Sequence, residues 1–274
     1  MHLGLKNAAR LWLSVVGACV VMAGTAAATE IKIGGTGNAL GTMQLLGDAY
    51  SRKHPDVKVT VLRSLGSSGA LLAVPERVID IGLSSRTLTD EERSKGLVAI
   101  EYARTPTVLA VAPKTKVTSL TREQLVDIYT GKLAQWPDGI MIRPILRQPG
   151  DDNTRQLKVL SPGIAQALVV AEKRPGLPYA MTDQEAAEKI ESVPGAIGVS
   201  TLALILSEGR QIRSLPLDGV EPTVKNAASG RYPMVKAFFF ITQSTPSPAV
   251  QQFISFVRSP AGRDILTQTG HWLP

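Results

Sequence analysis

The sequence has few of the residues that metal, redox and disulfide chemistry require. Its single cysteine is Cys19, near the N-terminus, and its three histidines are His2, His54 and His271. No two of these residues have the spacing of a zinc or copper site. Without a second cysteine the chain forms no disulfide of its own, so its stability must come from a hydrophobic core. We therefore predict no metal site and no cofactor.

The sequence also lacks common enzyme motifs. Neither His54 nor His271 accompanies a GxSxG motif, so a serine hydrolase would have no base beside its nucleophile. The glycine-rich stretch Gly34–Thr42, GGTGNALGT, fits neither GxGxxG followed by an acidic residue nor GxxxxGK(S/T). This excludes the two common nucleotide-binding motifs. We predict that the protein is not an enzyme.

Excess charge and long apolar runs are limited as well. The formal net charge of +7 includes Lys6 and Arg10, and residues 1–28 contain no acid, so the rest of the chain carries +5. Because no block of lysine and arginine accompanies this small excess, we predict no binding to nucleic acid. After residue 28 no stretch approaches ~18 uninterrupted apolar residues, so we predict no membrane span there.

Residues 1–28 have the pattern of an export signal. Lys6 and Arg10 precede an apolar run, Leu11–Ala23, and small residues ending in an A-x-A pattern at Ala28 follow it. We predict cleavage after Ala28 and a periplasmic mature protein.

A lipoprotein signal is the alternative interpretation of the same segment. The sequence VGAC, which ends at Cys19, fits a lipoprotein cleavage box. Against it, the apolar run before Cys19 is short, and Val20–Met22 would make an unusually apolar tether. We favour a mature protein without a lipid anchor.

Strand and helix patterns alternate from Thr29 onward. Strand patterns cover Ile31–Ile33, Val57–Leu62, Val78–Leu83, Thr105–Val111, Met141–Leu146, Ala196–Ser200 and Val235–Thr242. Helix patterns cover Gln44–Tyr50, Ser67–Val74, Thr89–Lys95, Thr121–Tyr129, Asp151–Val159, Asp183–Glu191 and Ala249–Gln268. This alternation predicts an α/β fold with a mainly parallel sheet between layers of helices. Ligands of such folds bind beyond the carboxyl ends of the strands.

The loops at these strand ends carry small hydrogen-bond donors. They include Gly34–Thr42, Ser67 to Gly69, Ser84 with Ser85, and Asn153 with Thr154. Any one of these residues is explained by helix capping, worth about 1 kcal/mol. Four such loops at one edge favour a shared oxyanion ligand, held by hydroxyl groups, N–H groups of helix N-termini and the guanidinium of Arg147.

Charged residues near this edge have two interpretations each. Asp151 and Asp152 fit the N-terminus of a helix, where acidic residues complement the dipole. Beside a bound anion, one of these carboxylates could instead accept a proton from a protonated oxyanion and reject a fully ionised one. Arg86 is a surface charge or a clamp between lobes, and we favour a structural role near the site.

Seven segments together form a specific pattern. They are GGTGNALGT at 34–42, LGSSGA at 65–70, DIGLSSRTLTDEE at 80–92, LTREQLVDIYTGKLAQWPDG at 120–139, RxxxxxNTR at 147–155, VPGAIGVSTLAL at 193–204, and FISFVRSPAGRDILTQTGHWLP at the C-terminus. With these segments the chain resembles the phosphate-binding proteins of bacterial phosphate ABC transporters, within the type II periplasmic solute-binding family.

The resemblance implies a type II fold, with two α/β lobes joined by two crossing strands that act as a hinge around a cleft. We expect one lobe at residues 29–112 plus 235–274 and the other at 113–234. The ligand-binding residues that the resemblance implies are Thr36, Asn38, Ala39, Leu40, Ser67, Ser68, Gly69, Ser84, Ser85, Arg147 and Thr154. Asp152 and Asn153 stand where the family has small residues, and we include them in the predicted site.

The function that the resemblance implies is capture of inorganic phosphate or a related oxyanion for delivery to an inner-membrane ABC permease, by a monomer. The carboxylate of Asp152 would repel a dianion unless a proton or a cation lay between them. The alternatives are therefore a solute-binding-like protein with a non-phosphate ligand, or with a sensor or partner-binding role. An exported phosphoester hydrolase is a weaker alternative, because the sequence lacks metal ligands.

Overall fold

The computed structural model describes residues 29–274, so the predicted export signal and Cys19 lie outside the described residues. The strands are β1 (Thr29–Gly35), β2 (Val57–Val61), β3 (Ile81–Ser84), β4 (Leu97–Val111), β5 (Arg143–Pro144), β6 (Ala196–Thr201), β7 (Arg213–Leu215) and β8 (Val235–Gln243). The helices are α1 (Leu40–Lys53), α2 (Gly66–Ala73), α3 (Asp90–Ser94), α4 (Arg122–Thr130), α5 (Asp152–Leu160), α6 (Pro162–Glu172), α7 (Asp183–Ser192), α8 (Leu202–Ser207), α9 (Val224–Ala228), α10 (Pro248–Arg258) and α11 (Pro260–Gln268). A 3-10 turn at Gly37–Ala39 precedes α1.

The described strands form one eight-stranded sheet in the order β2-β1-β3-β8-β4-β6-β5, with β7 paired to β4. The pairs β1–β2, β1–β3 and β5–β6 are parallel. Every pair made by β4 or β8 is antiparallel. The predicted α/β fold is confirmed, with parallel pairing away from β4 and β8 and antiparallel pairing where those two strands cross.

Buried side chains form the cores of two lobes. The core of the first lobe surrounds β1 and includes Ile33 and Phe240. The core of the second lobe surrounds the other end of β4 and includes Leu109 and Trp136. β4 and β8 run side by side and connect the lobes, as predicted. The expected lobe boundaries at residues 112 and 234 stay a prediction.

Capping residues begin two of the predicted helices. Thr89 caps α3 and forms a reciprocal capping box with Glu92. Thr121 caps α4 in the same way, and Gly131 ends that helix with a φ of 88°, which glycine adopts without strain. In the part of the chain that the structure describes, no helix combines the length and the apolar character that crossing a membrane requires.

Two predicted elements are divided in the structure. The single helix expected over Ala249–Gln268 is two helices, because Ser259 caps α11 and Pro260, at its first position, cannot donate an N–H to the helix before it. The strand expected over Met141–Leu146 pairs with β6 only at β5, whereas Met141 and Leu146 form isolated bridges to Gln135 and Tyr179.

Strand β4 is longer than predicted, and other elements were missed. β4 begins at Leu97 rather than Thr105. In the sequence, Glu101 and Arg104 interrupt the apolar pattern and hide this part of the strand. In the structure their side chains pair with each other at 2.5 Å. Strand β7 and helices α8 and α9 were not predicted, and neither was helix α6. It begins with Ser161 as its cap and Pro162 at its first position.

Candidate ligand-binding cleft

A cleft of ≈ 570 Å³ lies where loops of both lobes meet. The first lobe contributes the loops after β1, β2 and β3, and the second lobe contributes the loop before α5 and the start of α7. Seven of the predicted ligand-binding residues line this cleft: Thr36, Asn38, Ser67, Ser68, Ser85, Arg147 and Asp152. The structure therefore brings residues from all four predicted loops to one place.

The other six predicted residues do not line the cleft. Ala39 and Ser84 are fully buried, and Asn153 and Thr154 are almost so. The side chain of Ser84 is used locally, since its Oγ donates to Arg86 O at 2.8 Å. The remaining two are Leu40, which lines a separate groove, and Gly69.

The glycine-rich stretch does not present its backbone to the cleft as expected. Its N–H groups have partners within the protein: Thr36 N donates to Leu83 O at 2.9 Å, Ala39 N to Thr36 O at 3.2 Å, and Leu40 N to Gly37 O. Asn38 N donates to Asp183 Oδ2 at 3.0 Å.

Two glycines of this stretch are explained by contact between the lobes. A Cβ on Gly37 would lie 2.5 Å from Gln184 Oε1, and a Cβ on Gly41 would collide with the side chain of Ser207. Gln184 lies on α7 and Ser207 on α8. The glycines therefore allow α7 and α8 to approach the first lobe closely.

Serine hydroxyl groups dominate the first-lobe wall of the cleft. Ser67 Oγ accepts a hydrogen bond from Ser85 N at 3.0 Å and lies 3.1 Å from Ser85 Oγ. Ser67 lies in the first turn of α2, where no side chain caps the helix and no acidic residue is present. An uncapped N-terminus favours negative charge nearby.

Arg86 also lines this wall, and its charge is paired. Its guanidinium makes two parallel bonds to Glu92, Nη1 to Oε2 at 2.8 Å and Nη2 to Oε1 at 2.6 Å. The hydrogen bonds from Arg86 lower the pKa of the Glu92 carboxyl to about 2, against the opposing effect of partial burial. These contacts give Arg86 the structural position that we expected.

Arg147 is the central cation of the second-lobe wall. Its side chain is 9% exposed, and its Nη2 lies 2.6 Å from Asp151 Oδ2 and 3.3 Å from Asp183 Oδ1. Its Nε and Nη1 are buried and have no hydrogen-bond partner among residues 29–274. Burial would lower the pKa of this guanidinium, but Asp183 and Asp151 outweigh burial and raise it.

Lys236 forms a second buried charge pair, which the sequence did not reveal. Its side chain is 1% exposed, and its Nζ donates to Asp152 Oδ2 at 2.6 Å and to Asn153 Oδ1 at 2.7 Å. Burial would raise the pKa of Asp152, but the charge and hydrogen bond of Lys236 outweigh burial and lower it. Asp152 also accepts from Arg155 at 3.2 Å. The carboxylate that we expected to repel a dianion is thus paired with protein cations.

Asp183 is the other residue that the sequence analysis missed. It begins α7, and its carboxylate contacts Asn38 N, Arg147 and Asn153 Nδ2. No local signal distinguished it from an ordinary acidic residue in the first turn of a helix. For Lys236 a signal existed, since it is a lone cation in the apolar strand VKAFFFIT.

The residues of the cleft offer mainly hydrogen-bond donors to a ligand. Among residues 29–274, no group of three His, Cys, Asp or Glu side chains is placed to hold a metal ion. Arg147 Nε and Nη1 are buried donors without a partner among residues 29–274, and serine hydroxyl groups line the same cleft. Such donors suit an oxyanion.

Comparisons with known proteins agree with this geometry and confirm the resemblance found in the sequence. A family model described as a PBP superfamily domain matches residues 21–261. The phosphate-binding protein PstS of Borreliella burgdorferi is 25% identical over 248 residues, which cover 88% of each chain. That of Bacillus subtilis is 26% identical over 230 residues, 82% of this chain and 74% of the relative.

A solved structure has the same fold. It is a Clostridium perfringens protein assigned as a phosphate ABC transporter substrate-binding protein and solved with bound phosphate. It superposes with a TM-score of 0.75 at 24% identity, covering 90% of this chain and all of the other. Since the family model spans most of its length, this chain belongs to the PBP superfamily.

Proposed function

We propose that the protein captures inorganic phosphate or a related oxyanion in the cleft between its lobes. The observation that carries this proposal is the buried guanidinium of Arg147, whose Nε and Nη1 have no partner among residues 29–274. Leaving a buried donor unpaired costs about 1–3 kcal/mol, and more when the group is charged. An oxyanion along one edge of the guanidinium would give one of these two donors a charged acceptor.

The first-lobe wall supplies the neutral part of the proposed site. The hydroxyl groups of Ser67, Ser68 and Ser85 line the same cleft as Arg147. Thr36 and Asn38 also line it. A ligand between these groups and Arg147 would contact both lobes, so its binding would favour a closed arrangement of the lobes around β4 and β8.

Transport is the role that we infer for this binding. The two relatives are named phosphate-binding proteins, and the structural neighbour holds phosphate. By analogy, we propose that a monomeric, periplasmic protein with lobes at 29–112 plus 235–274 and 113–234 delivers the ligand to an inner-membrane ABC permease. Binding makes and breaks no covalent bond, so the role requires neither a cofactor nor enzymatic activity.

Titration calorimetry of residues 29–274 tests the proposal. Phosphate, sulfate and molybdate are injected separately, with a buffer injection as the blank. We expect saturable heat with phosphate or another of these oxyanions. No heat with any oxyanion would reject oxyanion binding and leave the fold assignment intact.

A second candidate function is binding of a neutral or cationic solute, and a protein that binds such a solute could act as a sensor. The observation in its favour is that Asp151, Asp152 and Asp183 already pair with Arg147, Arg155 and Lys236. This second function predicts that the wild type binds none of the three oxyanions and that Asp152→Gly gains phosphate binding. Phosphate binding by the wild type would exclude it.

A further inference from the structure

The carboxylate of Asp183 already uses donors that an anion in the cleft would need. Its Oδ2 accepts from Asn38 N at 3.0 Å, and its Oδ1 lies 3.3 Å from Arg147 Nη2 and accepts from Asn153 Nδ2 at 3.2 Å. Asp183 is 8% exposed, so water has little access to these positions. The cleft thus contains an internal anion beside its principal cation.

Every element packed against Asp183 contributes to its electrostatic surroundings. The loop before α5 contributes Arg147 and Asp151, β8 contributes Lys236, and the loop after β1 contributes Asn38 N. Burial has the largest effect and raises the pKa of Asp183, the two cations lower it, and Asp151 raises it. The sum leaves this pKa above its ordinary value.

A bound oxyanion would add negative charge next to this carboxylate. An anion that accepts from Arg147 Nε or Nη1 lies along an edge of the guanidinium that includes Nη2, and Nη2 is 3.3 Å from Asp183 Oδ1, so oxygens of the two groups come close together. Two acceptors without a proton between them repel each other, and the repulsion is strong where water is excluded. A protonated Asp183 removes it, since its O–H donates to the anion while its other oxygen still accepts from Asn38 N.

We propose that the cleft binds an oxyanion together with one proton, which the Asp183 carboxylate takes up from solvent. The inference rests on the proposed function. The proton leaves the buffer and forms an O–H bond on Asp183, and no other bond is made. Above the pH at which free Asp183 ionises, affinity then falls about tenfold per pH unit, until Asp183 is ionised in the complex as well.

The test is titration calorimetry with inorganic phosphate across about pH 5 to 8, in pairs of buffers with different ionisation enthalpies. This measurement gives the number of protons taken up per phosphate bound. The variant Asp183→Asn keeps the size of the side chain and an oxygen acceptor but cannot take up a proton, and the ¹³C shift of the Asp183 carboxyl carbon separates a proton on Asp183 from one held by phosphate. The matched control is Glu185→Gln, which removes the same charge from α7, where Glu185 bonds instead to Met181 N and Lys189.

We expect the wild type and Glu185→Gln to take up about one proton more than Asp183→Asn in the pH range where affinity falls. Asp183→Asn should also bind phosphate more tightly at the upper end of the range. Equal proton uptake in all three proteins would overturn the inference while leaving phosphate binding established. No phosphate binding by any of them would overturn the proposed function and this inference with it.

A second measurement needs no variant to fold. The ¹³C shift of the Asp183 carboxyl carbon reports its protonation in the wild-type protein, with and without saturating phosphate. We expect its midpoint to move to higher pH when phosphate is present. An unchanged or lowered midpoint would contradict the inference.

Discussion

The two walls of the cleft would meet an anion with different chemistry. On the first-lobe wall, α2 begins with serines, with no acidic residue in its first turn and no capping side chain. On the second-lobe wall, α5 begins after Asp151 and carries Asp152, and α7 carries Asp183. The first wall therefore offers serine hydroxyl groups and a helix N-terminus with no acidic residue in its first turn. The helix N-termini of the second wall already have carboxylates beside them.

This contrast assigns different tasks to the two walls. The charges of the second wall form a buried network that holds α5 and α7 in place, and Arg147 alone in it keeps N–H groups without partners among the described residues. The first wall has few charges, and Arg86 there is paired with Glu92. Affinity should thus depend on Arg147 and the serines, and stability on the remaining charges.

The largest effect that the contrast predicts is on stability. Lys236→Met leaves Asp152 with Arg155 as its only cation, and breaking a buried pair from one side costs about 3 kcal/mol of unfolding free energy. Chemical denaturation at neutral pH measures this loss, with Lys225→Met on the exposed surface of α9 as the control. Equal stabilities of the two variants would show that the network of the second wall is not structural.

Arg147→Ala should have the next largest effect, on affinity. It removes two buried, charge-assisted donors from the proposed site, so phosphate binding should weaken by at least ~1.5 kcal/mol. The comparison variant is Arg155→Ala, whose side chain is 48% exposed at the cleft and should matter much less. Calorimetry measures both, and an unchanged affinity in Arg147→Ala would remove this residue from the site.

A smaller effect separates a serine that lines the first wall from one buried behind it. Ser67→Ala should weaken phosphate binding by about 1 kcal/mol, the usual worth of a neutral hydrogen bond. Ser84→Ala should leave affinity unchanged, because Ser84 is fully buried and bonds to the backbone of Arg86. If the two variants lose affinity equally, the first wall does not bind through its exposed hydroxyl groups.

The smallest effect concerns the ion pair of the first wall. Since Arg86 lowers the pKa of Glu92 to about 2, the pair stabilises the fold above about pH 4.5, and this contribution is lost as the pH falls toward 2. Because the pair is partly exposed, Glu92→Gln should cost only about 1 kcal/mol at neutral pH. Thermal melts of both proteins should converge on acidification, and a constant difference would contradict the assignment.

Local signals in the sequence predicted much of the fold. Capping residues such as Thr89 and Thr121, and the alternation of apolar residues in β2, depend on neighbours within one turn or one strand. The full length of β4 could not be predicted in the same way. Glu101 and Arg104 look like breaks in an apolar pattern until their mutual pairing is seen.

The candidate site was predictable only in part, for a related reason. Arg147 and the serines follow strand ends, and that position alone indicates the ligand edge of an α/β sheet. Asp183 and Lys236 act through partners that lie 145 and 84 residues away in the sequence. Their contacts, and the use of Gly37 for packing between lobes, appear only when the two lobes are brought together.

A crystal structure of residues 29–274 grown with phosphate tests the central claim most directly. We expect density for a tetrahedral anion within hydrogen-bond distance of Arg147 Nε or Nη1, with Ser67 or Ser85 on its other side. The account would be contradicted by phosphate bound elsewhere, or by a cleft without an anion at saturating phosphate.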